Sequence, residues 1–275
     1  MHTRKGTFAL AGVLALAAAA AWAGPGSVIS SFHRFLGDRP TAVYRDADYV
    51  YVVNLGEGLS NYAIKYTPTG SYVGISTLWF CRYVPEDVDH SFLGSSYITL
   101  AVERGLVTYL KEGGTPVRWD HNDLRETIGY AHRPGSQYYF VCVWPESRDY
   151  DHIVYAFKTG GSLVSTFIPA EGGWLGATDR FAGLGGEYLI IHGGTGTCDI
   201  YDPGGSLVAT FGHEAGCGIR GGTAGPGYPA SWGTTLWVLG SWGHNDHAVF
   251  QIDLGNGTPS AIVPTSLGKV KALFR

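Results

Sequence analysis

The chain has 275 residues, with 19 Lys and Arg against 23 Asp and Glu and a formal charge of −4. No basic stripe interrupts this mild acidity, so the electrostatic footprint of a nucleic-acid binder is absent. Glycine supplies 41 residues, aromatic side chains 13% and charged ones only 15%. Helix formers such as Glu, Lys and Gln are scarce, and no long stretch has i, i+3, i+4 apolar spacing, which excludes a helical bundle.

At the amino end, Arg4 and Lys5 precede an apolar, Ala-rich run from Phe8 to Ala21, and Ala21-Trp22-Ala23 has the small-x-small form of a cleavage site. This layout predicts a secretory signal peptide over residues 1–23 and a secreted or periplasmic domain over 24–275. The run is shorter than the ~20 apolar residues of a membrane-crossing helix, and an uncleaved anchor is the competing reading. Loss of Arg4 and Lys5 takes the formal charge to −6. The cleavage site has no Cys to carry a lipid, and no later apolar stretch is long enough to cross a bilayer.

Further along, β-branched and aromatic runs such as Tyr49 to Val53, Tyr138 to Val143, Tyr188 to Ile191 and Leu236 to Leu239 alternate with Gly, Pro, Asn and Asp. They predict short strands covered on both faces. A longer period overlies them. Gly26-Ser-Val-Ile-Ser-Ser-Phe32 returns as Gly70-Ser-Tyr-Val-Gly-Ile-Ser76, Gly161-Ser-Leu-Val-Ser-Thr-Phe167 and Gly205-Ser-Leu-Val-Ala-Thr-Phe211. Weaker copies are Gly114-Thr-Pro-Val-Arg-Trp119 and a segment beginning at Gly257, so successive starts lie 44, 44, 47, 44 and 52 residues apart. The preceding turns repeat too, as Tyr66-Thr-Pro-Thr-Gly70, Phe157-Lys-Thr-Gly-Gly161 and Tyr201-Asp-Pro-Gly-Gly205. In the first period, Thr41 to Tyr44, Tyr49 to Asn54, Tyr62 to Tyr66 and Ser71 to Ser76 predict strands A to D. Four short strands per period of roughly 40–50 residues predict a β-propeller blade. Such a sheet buries both faces only by stacking on neighbours around an axis.

The order Pro40-Thr-Ala-Val-Tyr44, Tyr49-Val-Tyr-Val-Val53, Ile64-Lys-Tyr-Thr-Pro-Thr-Gly70 and Ser71-Tyr-Val-Gly74 resembles the NHL-type propeller repeat, and the Cys198 to Phe211 segment is similar to it. The resemblance covers most of the chain after residue 23 as a strand layout and is specific in the first, third and fourth blades. It implies a propeller. NHL-like propellers include protein-binding modules, nucleic-acid binders and a few lyases and hydrolases, so the resemblance selects no activity. Complete A-to-D sets predict five four-stranded antiparallel blades over about 38–76, 77–120, 127–168, 173–212 and 217–263. A D-like strand is left over at Val28 to Phe32, and an A-like strand at Lys271 to Arg275 echoes Thr41-Ala-Val-Tyr-Arg45. The two either form a reduced sixth blade or cover the edges of a five-blade ring, because exposed edges are avoided.

Arg45, Arg133 and Arg180 each end a predicted innermost strand, around the central opening. Three guanidinium groups there suit a carboxylate or phosphate, against which stands simple pairing with turn carboxylates such as Asp46 and Asp179. His and Asp gather in the predicted B-to-C loops, where Asp151-His152 aligns with Asp246-His247 and His244 adds another imidazole. These five residues are the candidate ligands for a divalent metal, the one cofactor the sequence admits. No HExxH motif or spaced Cys/His set accompanies them, and Asp and His before a strand commonly cap turns. Asp87-Val-Asp-His90 is similar in composition. Trp174, Trp232 and Trp242, with Trp79 and Trp144, fall on predicted loops, where an indole face suits a sugar ring or a partner surface. No Gly-x-Ser-x-Gly elbow occurs, and Gly193-Gly194-Thr195-Gly196 precedes no helix that would hold a phosphate.

Four cysteines suit an oxidising compartment and allow three pairings. Cys198 starts the fourth C strand and Cys217 the fifth blade, at the same end of adjacent blades, which favours a disulfide between them over one joining Cys81 and Cys142. Together these features predict a secreted, monomeric, non-catalytic module that binds a protein or a glycan through its loops. The alternative is a propeller lyase or hydrolase. It requires His152, His247, Arg45, Arg133 and Arg180 to converge in one pocket.

Overall fold

A computed structural model describes residues 25–33, 39–56, 60–79, 85–102, 105–120, 127–144, 152–170, 173–192, 197–213, 218–225, 235–243 and 246–255. Strand β1 (Val28–Phe32) comes first. The first blade is β2 (Pro40–Arg45), β3 (Val50–Asn54), β4 (Ser60–Tyr66) and β5 (Tyr72–Trp79), in that spatial order. The second is β6 (Pro85–His90), β7 (Tyr97–Val102), β8 (Gly105–Leu110) and β9 (Arg118–Asp120). The third is β10 (Thr127–His132), β11 (Tyr138–Val143), β12 (Ile153–Lys158) and β13 (Leu163–Phe167). The fourth is β14 (Trp174–Phe181), β15 (Leu184–His192), β16 (Thr197–Tyr201) and β17 (Leu207–Gly212). The fifth contains β18 (Gly218–Gly225), β19 (Thr235–Gly243) and β20 (Asp246–Asp253), and β1 fills its outermost place.

The innermost strands β2, β6, β10, β14 and β18 touch in cyclic order, which closes a five-blade ring. The amino-terminal strand left over in the sequence thus completes the fifth blade. It pairs antiparallel with β20 from Val28 opposite Ile252 to Phe32 opposite Val249, and Ser30 Oγ donates to Gln251 Oε1 at 2.8 Å. The fifth D strand expected from Gly257, and the A-like Lys271 to Arg275, lie outside the described residues. Among the described residues there is no sixth blade.

Five apolar clusters hold the ring, each between two neighbouring blades. Such packing explains why the strands read as nearly continuous apolar runs. In β3 all five residues are buried, and in β11 all but Tyr138. A fully buried Val or Leu contributes about 1.5–3 kcal/mol.

The repeat has a structural cause at the outer rim. Phe32, the last residue of one copy, packs on Gly70, the first residue of the next, and on Tyr66 with ring centroids 5.5 Å apart. Phe167 packs on Gly205 and on Tyr201 at 5.1 Å in the same way. A Cβ on either glycine would lie 2.7 Å from the ring, and φ is +84° at Gly70 and +89° at Gly205, a region that disfavours other residues. Gly161 has the same φ of +89° but nothing near its missing Cβ. The preceding copy, Gly114 to Asp120, has no Phe at its end. Between these second and third blades, a stack of Phe92, Tyr139, Phe157 and Tyr155 fills the junction instead, with neighbouring centroids 5.3, 5.1 and 6.1 Å apart.

Candidate functional site

The centre of the ring is built by β6. Asp87 and Asp89 are two residues apart on a strand, so their side chains share one face. Both are buried. Asp87 Oδ2 accepts the Leu175 N–H at 2.8 Å and the Tyr130 N–H at 3.2 Å, and its Oδ1 accepts the Val88 N–H at 2.9 Å. One carboxylate therefore ties the innermost strands of the second, third and fourth blades. Asp89 Oδ2 accepts the His132 N–H at 3.1 Å. Burial pushes the Asp87 carboxyl well up, against the opposing pull of the Leu175, Tyr130 and Val88 N–H groups. Burial and the Asp89 charge raise the Tyr130 hydroxyl as well.

The arginines take three different roles. Arg45 is 2% exposed. It curls onto its own turn, donating from Nη2 to Ala47 O at 3.0 Å and from Nη1 to Tyr49 O at 3.1 Å. Its guanidinium lies 5.8 Å from the ring centroid of Trp237 in the fifth blade. Arg133 follows β10 and bridges to the fourth blade, with Nη2 to Glu187 Oε1 at 2.8 Å and Nη1 to Asp179 Oδ2 at 3.5 Å. Ser136 Oγ donates to the other oxygen of Glu187 at 2.9 Å. Arg180 has an exposed side chain, and its backbone N–H donates to Thr178 Oγ1 at 3.2 Å. Pairing with a carboxylate of its own turn thus describes only Arg45, loosely, with Nη1 3.8 Å from Asp46 Oδ1, whereas Arg133 pairs with strand carboxylates of the next blade.

His152 stands elsewhere. It precedes β12 and meets the Trp144 ring edge-on at 5.2 Å, at the far end of β11 from Arg133. The six residues of β11 separate the two ends by about 17 Å. His247 lies near the start of β20, opposite Ser241, in the corresponding place of the fifth blade. The histidines and arginines therefore sit at opposite ends of their strands and share no pocket. Asp246 is the first residue of β20, while Asp151 and His244 lie outside the described residues. Among the described residues no three His, Cys, Asp or Glu side chains gather as metal ligands.

Three tryptophans expected on loops belong to strands. Trp79 ends β5, Trp174 starts β14 and Trp242 is in β19, because strand ends extend one or two residues beyond their apolar runs. Trp144 does lie on a connection and is 40% exposed, and Trp232 is outside the described residues. Cys142 and Cys198 are buried free thiols. Burial pushes Cys142 up to about 12 and Cys198 higher still. Their expected partners, Cys81 and Cys217, lie outside the described residues.

The outer strands carry an apolar feature at the rim. Tyr72 and Val73 are 63% and 44% exposed, Leu163 and Val164 55% and 41%, and Leu207 and Val208 53% and 42%. These pairs occupy the third and fourth places of the repeated heptapeptide in three blades. Repetition of the pair was visible in the sequence, but its exposure depends on D being the edge strand.

No protein-family model and no curated protein matches the chain. Solved structures do. One is a crystal structure of a nidogen/laminin complex, with a TM-score of 0.50 and 16% identity over 78% of this chain and 76% of that one. The fold is a β-propeller. The WD40 domain of Toxoplasma gondii coronin is also similar, with a TM-score of 0.47 and 11% identity over 84% of this chain and 63% of that one. The propeller likeness at these identities concerns fold alone.

Proposed function

We propose that this propeller is an exported, non-catalytic interaction module that binds a partner protein at its outer rim. The carrying observation is the exposed apolar pair repeated on β5, β13 and β17. Scattered exposed apolar residues are ordinary, whereas the same pair at the same place on three of the five outer edges marks the rim as a binding surface. These edge strands carry neither Pro nor a charged residue, the usual devices that discourage added strands. An extended segment of a partner adds to such an edge through its main chain, and the apolar pair selects its side chains. The NHL-like look of the repeat fits this reading, as does the cleavable leader over residues 1–23. A glycan would instead need several open aromatic faces.

Peptide and glycan arrays probed with the mature protein and with the L163S/L207S variant test the proposal. Peptide binding that falls at least tenfold in the variant is the expected result. Retention of full binding by the variant, or turnover of a small-substrate panel by the mature protein, overturns it.

A further inference from the structure

The third residue of the repeated heptapeptide marks one place on the strand beside it. Tyr72, Leu163, Leu207 and Val28 stand opposite Tyr66, Phe157, Tyr201 and Ile252. Tyr66, Tyr201 and Ile252 are 2%, 5% and 0% exposed, whereas Phe157 is partly exposed. Two residues earlier on the same face, Ile64, Asp199 and Phe250 are buried, and Tyr155 is again partly exposed. The cause lies in the preceding blade. Phe32 packs on Tyr66, Phe167 packs on Tyr201, and Phe211 shares an apolar cluster with Ile252. Each of these phenylalanines is the seventh residue of its heptapeptide. In the second blade, which faces Phe157, the seventh residue is Asp120. It ends the three-residue β9, opposite Leu106, whereas β1, β13 and β17 have five, five and six residues.

The stack of Phe92, Tyr139, Phe157 and Tyr155 runs outward from the end of β6 to β12 and leaves its last two rings partly exposed. Space remains beside them. Among the described residues nothing lies within 4 Å of where a Cβ on Gly161 would be, whereas a Phe ring lies 2.7 Å from that place at Gly70 and at Gly205. We infer that this socket, walled by Tyr155, Phe157 and Gly161, receives a phenylalanine side chain from an extended segment of the partner protein. The inference rests on the reading of the rim as a binding surface and adds the place and the side chain. The chain itself shows what fits, because the two corresponding glycine sockets each hold a Phe at the end of an extended segment. A buried aromatic anchor of this kind commonly dominates an interface. Leu163, 55% exposed and opposite Phe157, continues the surface onto β13.

A fluorescently labelled peptide Gly-Ser-Leu-Val-Ser-Thr-Phe, the sequence of residues 161–167, titrated with the mature full-length protein and followed by anisotropy, reads the socket. Wild type is expected to bind it, and to bind the same peptide ending in Ala at least tenfold more weakly. Asp120→Phe gives the second blade its own seventh-place Phe, and binding of the Phe peptide is expected to fall at least tenfold there too. Equal binding of the two peptides, binding of neither, or undiminished binding to a folded Asp120→Phe overturns the socket. The rim reading survives each of these results if L163S/L207S still loses its array peptides, and falls with the socket if it does not. A wild type that self-associates, and is monomeric as Asp120→Phe, puts a second copy in the socket and overturns the partner segment. If Asp120→Phe fails to fold, the pair of peptides decides alone.

Discussion

Asp46 ties the turn of the first blade to the second. Its Oδ1 accepts the Asp48 and Tyr49 N–H groups at 2.9 and 2.8 Å, and its Oδ2 accepts Lys111 Nζ at 2.9 Å. Burial works to raise this carboxyl, but the Lys111 hydrogen bond and charge and the two N–H groups hold it below its ordinary value of 3.8. A depressed carboxyl stabilises the fold above the unfolded value, and that contribution is lost as pH falls through the folded one. Lys111→Met is therefore expected to cost about 1 kcal/mol in urea unfolding at pH 7, with the gap to wild type closing below pH ~4. Asp87→Ala leaves buried N–H groups of three strands without an acceptor, at a cost on the order of 3 kcal/mol in the same measurement. Cys142 and Cys198, both buried and raised, are expected to resist alkylation at pH 8 until denaturant is added, as read by peptide mapping. The loose pairing of Arg45 was legible because Asp46 follows it in its own turn, whereas the bridge from Arg133 to Glu187 was not, because it joins two blades. The hub at Asp87 was not, because an acidic residue in an innermost strand reads as a loop until neighbouring blades supply its donors.

At the scale of elements, strands A to D of the first blade fall within about three residues of their expected places. Their apolar runs, bounded by Gly and Pro turns, are a local signal. The Phe-to-Gly sockets join residues about forty positions apart, so the sequence displayed their repetition but hid their contact. Gly161 and Gly205 share one φ but differ in surroundings. Gly161→Ala should therefore cost only the backbone strain, about 1 kcal/mol. Gly205→Ala adds the clash with Phe167, for a total of about 2–3 kcal/mol. Equal losses in thermal unfolding would show that the socket contributes nothing.

For the whole molecule, the number of blades was legible and the manner of closure was not. Period and strand content are local properties, while closure depends on β1 pairing with β20 across 221 positions of chain. The separation of histidines from arginines followed only once strand direction was fixed. Arg133→Ala and His152→Ala, at opposite ends of β11, are expected to be additive within about 0.5 kcal/mol in a double-mutant cycle. Coupling well above that would bring the two ends into one functional unit.

Closure through β1 also imposes a schedule. Ser30 meets Gln251 across 221 positions of chain. At a synthesis rate of ~5–20 residues per second, the first strand waits roughly 10–45 seconds for its partner to be made. Until then the fifth blade has no partner strands for it, and the ring has no way to lock. A nascent chain that postpones its last pairing this long carries four finished blades beside an open fifth, so the order of synthesis leaves the ring's seam to the end.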